Sequence, residues 1–191
     1  MASKIDVDGL IGNIAGELKT RIEASSEEPI MIGIHTGGLW IAERLHKMLG
    51  LKQALGALNI SFYRDDFSRM GMHPQVSPSK LPYSVDDKHI ILVDDVLYTG
   101  RTIRAALNEI FDYGRPASVT LVALVERSGR ELPIEASIVG KHMSLASHEH
   151  IKLNGPDVLS LSIIEALCIR KMRTNIHLDQ NKDVRYFLSV E

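Results

Sequence analysis

Cysteine occurs once in the 191 residues, at Cys168, so no disulfide can close within the chain, a usage that fits a reducing cytoplasm. No apolar run approaches the roughly 18 residues of a membrane span, and a membrane protein is not expected. Met1 to Gly9 is polar and acidic, with no basic segment leading into an apolar one, so no secretory signal is expected. The formal net charge is only −2, which gives no global pull toward nucleic acid and leaves a local basic patch open. No internal repeat or low-complexity segment appears. What is present is 45% hydrophobic residues, enough to bury the core of one domain. The chemistry therefore points to small-molecule partners in the cytoplasm.

Periodicity sets out the elements. Val7, Leu10, Ile11, Ile14, Leu18 and Ile22 recur at helical spacing. "PIMIGIH", from Pro29 to His35, reads as a buried strand, and "TGGLWIAERLHKMLG" as a Gly-rich turn into a helix. Ala54 to Arg64 reads as another strand. The following "DDFSRMGMHPQVSPSKLPYSVDDK" is broken by Pro74, Pro78 and Pro82, and a loop that long is usually functional or mobile. Ile90 to Val93 reads as a strand buried on both faces, followed by a helix from about Thr102 to Tyr113, with Gly114 as cap and Pro116 barring continuation. "SVTLVALVER", "ASIVG" and "HIKL" are strand-like. Strands alternating with helices predict an α/β fold, a mainly parallel sheet flanked by helices. Ligands of such sheets bind beyond the carboxyl ends of the strands, so one cleft is expected, lined by "HTGG", "DDVLYTGRT" and "ERSGRELP".

Two motifs in that cleft carry chemistry. In Thr99-Gly100-Arg101-Thr102, Gly100 can take positive φ, and the helix behind it aims free N–H groups and the positive end of its dipole into the loop, which suits a phosphate. The Walker pattern is absent. Asp94 and Asp95 end the buried strand. A single aspartate there reads equally well as an N-cap or a solvated acid. Two adjacent carboxylates need donors, a cation or solvent, and a sugar diol or a developing positive charge would satisfy them. An acid pair beside a phosphate cradle suits a ribose 5-phosphate.

"ILVDDVLYTGRT" resembles the phosphoribosyl-pyrophosphate (PRPP) motif of type I phosphoribosyltransferases. Four blocks in order, "IGIHTGG", "ISFYRDDF", "VDDVLYTGRTIRAALNEI" and "YGRPASVTLVALVERSGRELPIEASIVGK", resemble the PyrR family of uracil phosphoribosyltransferases and pyrimidine-operon regulators over roughly residues 5 to 155. The resemblance implies the type I fold with a small hood and a long flexible loop. Residues 1–155 would form the phosphoribosyltransferase domain and 156–191 a C-terminal segment without an assigned role. It implies formation of UMP and pyrophosphate from PRPP and uracil, with magnesium bound mainly through PRPP and no dedicated metal site. It also implies a homodimer or higher homo-oligomer.

By the same resemblance Asp94 and Asp95 hold the ribose hydroxyls and stabilise an oxocarbenium-like transition state. Val96, Leu97, Tyr98, Thr99, Gly100, Arg101 and Thr102 wrap the 5-phosphate. Thr36, Gly37 and Gly38 form the pyrophosphate loop; many PyrR proteins carry arginine where Gly37 stands, so one cationic contact is missing. Arg64, with Asp65, opens a lid whose closure excludes water. Backbone groups of Ile138, Val139 and Gly140 read uracil, with Arg127 and Glu126 nearby. Arg130 and Lys141 match basic positions of an RNA-binding surface, whereas Glu135 stands where RNA-binding members often carry arginine, a reversal that weakens contact with phosphate. Two alternatives stay open: a nucleotide-sensing RNA-binding attenuation regulator with little catalysis, and a phosphoribosyltransferase for another base. Elsewhere, Trp40 reads as core or subunit packing, His148 to His150 as a strand cap rather than a metal site, and Pro156-Asp157 as a possible helix start.

Overall fold

The computed structural model describes residues 5–60 and 79–165. The chain opens with helix α1, Val7–Glu23, whose first turn is closed by the Asp6 carboxylate accepting from Gly9 N at 3.0 Å. Strand β1, Ile30–Ile34, is buried throughout and leads into helix α2, Gly37–Leu49, which Gly50 ends in the left-handed conformation at φ 63°. Strand β2 is Gly56–Leu58, β3 His89–Leu97, helix α3 Arg101–Tyr113 and β4 Ser118–Arg127. Strands β5 Ile138–Met143, β6 Glu149–Asn154 and β7 Ser160–Glu165 follow.

Five strands form one sheet in the order β2-β1-β3-β4-β5, every neighbouring pair parallel. The apolar runs in β1, β3 and β4 are continuous because both faces of the sheet are covered. Met31, Ile91, Val93, Val122 and Leu124 face α1 and α2, packing with Ile14, Leu18, Ile41 and Leu45. Ile30, Ile32, Ile90, Leu92, Leu121 and Ala123 face the other way, against Ile103, Ala106 and Ile110 of α3. Truncating one of these fully buried leucines or isoleucines to alanine would cost about 2–5 kcal/mol. Chain order reverses between β1 and β3, and a sheet wound this way leaves a crevice beyond the carboxyl ends of those two strands.

Three expectations shift. The strand expected over Ala54 to Arg64 is paired only at Gly56–Leu58 among the described residues; Ala57 then exchanges backbone hydrogen bonds with Lys80, at 2.9 and 2.7 Å. Helix α3 begins one residue early, at Arg101, and Gly114 does follow its last turn. No helix opens at Pro156. A turn with a cis Gly155–Pro156 peptide returns the chain as β7, antiparallel to β6 from Asn154↔Ser160 to Glu149↔Glu165. The second strand of the hairpin opens the segment that follows Gly155. Trp40 packs against the first core, at the foot of the hairpin.

The approach to β3 yields a pH prediction. Asp86 accepts from Arg115 N at 2.7 Å and Ser84 Oγ at 3.0 Å, tying the start of β3 to the turn after α3. The Arg115 amide first, and the Ser84 hydroxyl second, hold its carboxyl below the usual carboxylate range. A depressed folded value stabilises the fold above the ordinary aspartate range, and that gain is lost as pH falls through the lowered value. Asp86→Ala should therefore be less stable than the parent near pH 7, with the gap closing in acid. Urea denaturation across pH checks this; a gap independent of pH would mean that the ionised carboxylate is not what holds the turn.

Candidate active site

The crevice between β1 and β3 is floored by backbone in close contact. Strand β1 ends at Ile34, the His35–Thr36 peptide is cis, and α2 begins at Gly37. Both glycines of this turn are buried against β3. A Cβ on Gly38 would lie 2.5 Å from the Val93 carbonyl oxygen and 2.9 Å from Asp94 Cα, and one on Gly37 would collide with the Asp95 carboxylate. At Gly38 the contact is with the backbone of β3, so glycine is required there by the fold itself, whereas at Gly37 it is with the Asp95 side chain.

Strand β3 runs on beyond β1. Asp94 pairs with Ala123 of β4, is 2% exposed, and its Oδ1 accepts from Asp95 N at 3.1 Å. Asp95 is half-buried and lies over the start of α2. Val96 is half-buried, Leu97 fully buried, and Tyr98 projects from the strand's end. Gly100 then turns at φ +92°, the left-handed conformation expected of it, and caps α3; Arg101 N donates to Thr99 Oγ1 at 3.3 Å.

The two helices that reach this crevice differ from α1 in one respect. Asp6 caps α1 and Asp8 sits in its first turn, whereas neither Thr36 before α2 nor Gly100 before α3 gives a side-chain cap, and neither first turn holds an acid. Apart from the Arg101 N–H, which Thr99 Oγ1 accepts, the first-turn N–H groups lack a side-chain cap, and with the positive dipole end they favour an anion at each. Two anion-binding helix ends therefore flank a carboxylate pair, a charge pattern that fits a substrate with two phosphate groups on either side of a polyol.

A second layer, unread in the sequence, clamps the turn after β3. Arg127 is 4% exposed; its guanidinium lies 3.9 Å over the Tyr98 ring and donates to the carbonyls of Glu149 at 2.8 Å and Ala146 at 3.4 Å. Among the described residues its Nε has no partner. Arg130 donates to the Tyr98 carbonyl and to Glu126, whose other oxygen lies 3.2 Å from His142 Nδ1. The N–H groups of Glu131 and Leu132 both donate to the Thr99 carbonyl at 3.1 Å, and Glu131 pairs with Arg101 at 2.8 Å. The Arg127 guanidinium is turned to Tyr98 and the approach to β6, and Arg130 to the turn after β3 and to Glu126; both arginines line the cavity at the carboxyl ends of β4 and β5.

Ile138, Val139 and Gly140 lie on β5, the edge strand of the sheet, where the Ile138 side chain is buried in the core beneath α1. The Ile138 side chain is thereby unavailable to a ligand, whereas Val139 is half-buried. A cavity of about 380 Å³ opens at the carboxyl ends of β4 and β5, lined among others by Glu126, Arg130, His142 and Ser144. Glu149 of the His148 to His150 segment opens β6 and accepts from Ala146 N at 2.8 Å. Among the described residues no three His, Cys, Asp or Glu side chains converge as a metal cage would need, and no helix is long and apolar enough to cross a membrane. Arg64, Asp65 and Cys168 lie outside the described residues.

Residues 1–150 match the family model of the phosphoribosyl transferase domain, which the parallel sheet and its crevice fit. Solved structures with the same fold include a purine phosphoribosyltransferase from Pyrococcus horikoshii (24% identity, TM-score 0.55, 72% of this chain and 83% of that one) and a hypoxanthine phosphoribosyltransferase from Staphylococcus aureus (22%, TM-score 0.58, 75% and 78%). The similarity in sequence is far greater to the bifunctional protein PyrR of Nitrosococcus oceani, 64% identical over 162 residues that cover 83% of this chain and 92% of that protein. The PyrR protein of Pseudomonas aeruginosa is 55% identical over 153 residues, 80% of this chain and 90% of that one. The chain belongs to the PyrR family.

Proposed function

We propose that the chain transfers the phosphoribosyl group of PRPP to uracil, giving UMP and pyrophosphate. The observation that carries this reading is the pair of uncapped helix ends on either side of Asp94 and Asp95. Val96 to Thr102 receive the 5-phosphate at the end of α3, and Thr36, Gly37 and Gly38 receive the pyrophosphate at the end of α2. Asp94 and Asp95 take the ribose hydroxyls. As the C1–diphosphate bond breaks, positive charge develops on the ribose, and the Asp95 carboxylate stabilises it. Uracil attacks C1 from the side of β5, where backbone groups of Ile138, Val139 and Gly140 read its edge. Little proton transfer is required, so positioning and electrostatics supply most of the acceleration. Arg64 in the long loop helps to exclude water that would hydrolyse PRPP.

Magnesium fits the hard oxygen donors here: PRPP would carry most of its ligands, and the half-buried Asp95 carboxylate offers the protein's own hard oxygens beside them. When bound, the ion supplies neutralisation of the departing diphosphate. The relatives are named bifunctional, which supports a second role; the family resemblance makes that role control of pyrimidine genes through RNA, by a homo-oligomer in the cytoplasm. Lys141 is exposed for such contacts, whereas Arg130 is engaged with Glu126 and Tyr98.

The test is a product assay with PRPP and magnesium, offering uracil beside hypoxanthine, guanine and orotate. UMP as the dominant product is the expected result. Turnover of a purine in preference to uracil would sink the assignment of the base, and a folded protein without turnover on any base would sink the enzyme.

A further inference from the structure

The turn between β3 and α3 is gripped at successive residues by one segment. The Tyr98 carbonyl accepts from the Arg130 guanidinium, and the Thr99 carbonyl accepts from the N–H groups of both Glu131 and Leu132 at 3.1 Å. The Glu131 carboxylate then pairs with Arg101, the first residue of α3. The Tyr98–Thr99 and Thr99–Gly100 peptides are trans, and in a trans peptide the C=O and the N–H of one planar unit point in opposite directions. Carbonyls drawn toward residues 130–132 therefore turn the Thr99 and Gly100 N–H groups away from that segment. Among the described residues neither of these N–H groups has a hydrogen-bond partner, although Gly100 is buried and Thr99 half-buried. Two consecutive free N–H groups at the uncapped start of a helix are the donors an anion takes.

We propose that Arg130, anchored by Glu126, is a positioning residue for the phosphate monoester: by fixing the Tyr98 carbonyl it aims the Thr99 N–H at the ligand, as the Glu131 and Leu132 amides aim the Gly100 N–H. This rests on the reading of Val96 to Thr102 as the 5-phosphate site. Arg130 acts here through a peptide plane, a role distinct from that of a cation facing phosphate or RNA. Its guanidinium bridges the Tyr98 carbonyl and the Glu126 carboxylate, and both of these side chains are mostly buried. Without Arg130 the Tyr98–Thr99 peptide is free to rotate, and its N–H must be ordered anew each time a ligand binds. The Thr99–Gly100 peptide, held by two backbone donors, keeps its direction.

The experiment titrates the full chain with ribose 5-phosphate, which has the sugar and the phosphate but no base, and follows backbone amide resonances by NMR and affinity by calorimetry. In the parent the Thr99 and Gly100 amides should both shift on binding. In Arg130→Met the Thr99 response should disappear and the Gly100 response persist, which also shows that the variant is folded. Affinity should fall about tenfold, the loss of one hydrogen bond to a charged group. Glu126→Met is the second variant, and it separates the two roles by sign. Removing a carboxylate beside an anion site tightens binding if charge alone matters. The positioning role requires the reverse, binding several-fold weaker, because Arg130 loses its anchor. Unchanged affinity in Arg130→Met, weaker binding there with both amides still responding, or binding as tight as the parent's or tighter in Glu126→Met would each overturn the proposal. A parent that makes UMP while neither amide responds would overturn it and leave the proposed function standing; a parent that neither binds ribose 5-phosphate nor makes UMP would overturn both.

Discussion

Asparagine in place of Asp95 is expected to leave the fold intact and to lower kcat for UMP formation by about 10²- to 10³-fold. The side chain is nearly isosteric and half-exposed, and the Asp95 backbone N–H keeps its bond to Asp94 Oδ1. The amide retains an oxygen to accept from a ribose hydroxyl, so PRPP binding should fall only a few-fold. What disappears is the negative charge facing the ribose as diphosphate departs, an interaction made in the transition state and scarcely in the ground state. Asp94→Asn makes the informative contrast. That carboxylate is buried; asparagine keeps one oxygen for the Asp95 N–H but turns the other, buried oxygen from acceptor into donor and removes the charge, so the replacement should cost activity together with several degrees of Tm. Steady-state kinetics and thermal melts of both variants separate the roles; an Asp95→Asn chain within tenfold of the parent kcat would remove Asp95 from the chemistry.

Much of this site could be read from the chain because its signals are local. The run Ile90 to Val93 is continuous because each face of β3 meets a different core, and the acids interrupt it before Leu97 returns to the second core. Gly100 announced a turn of positive φ, and such a turn occurs there. The clamp around Tyr98 left no comparable trace. Arg127 is 29 positions away from Tyr98 in sequence and Arg130 is 32, and an arginine in a loop reads as a surface charge until the fold supplies its partners. Strand β7 was missed for a related reason: Ile163 and Ile164 are adjacent and both exposed, so the segment shows neither helical nor alternating burial. Its pairing with β6 depends on the turn at Gly155–Pro156, which brings together stretches with weak patterns of their own. Gly37 and Gly38 were recognised as a close approach, but the approaching group is β3, which only the packing of α2 on the sheet determines.

Arg127→Met tests whether that clamp governs the phosphate turn, and it should be the most destabilising change among the residues of the site. Methionine keeps the length and apolar stem of arginine while removing its charge and every donor. Two hydrogen bonds from a charged group to the carbonyls of Glu149 and Ala146 would be lost, at about 1.5–3 kcal/mol each in favourable geometry, together with a cation–π contact of about 0.5–2 kcal/mol. Three effects reduce the sum: the 3.4 Å bond to Ala146 is long, water can reach the exposed segment around Ala146, and the unpartnered Nε is itself a cost that methionine removes. A net loss of about 2–3 kcal/mol is expected, or roughly 4–12 °C in Tm. The loss should be unevenly distributed. Amides at the start of β6 should exchange with solvent faster than those of β3, because Arg127 joins the hairpin approach to the sheet. With Tyr98 no longer held, the KM for PRPP should rise about tenfold while kcat at saturation falls less. A variant as stable as the parent, with unchanged KM, would reduce Arg127 to a packing residue and leave the order of the phosphate turn to Arg130 and Glu131 alone.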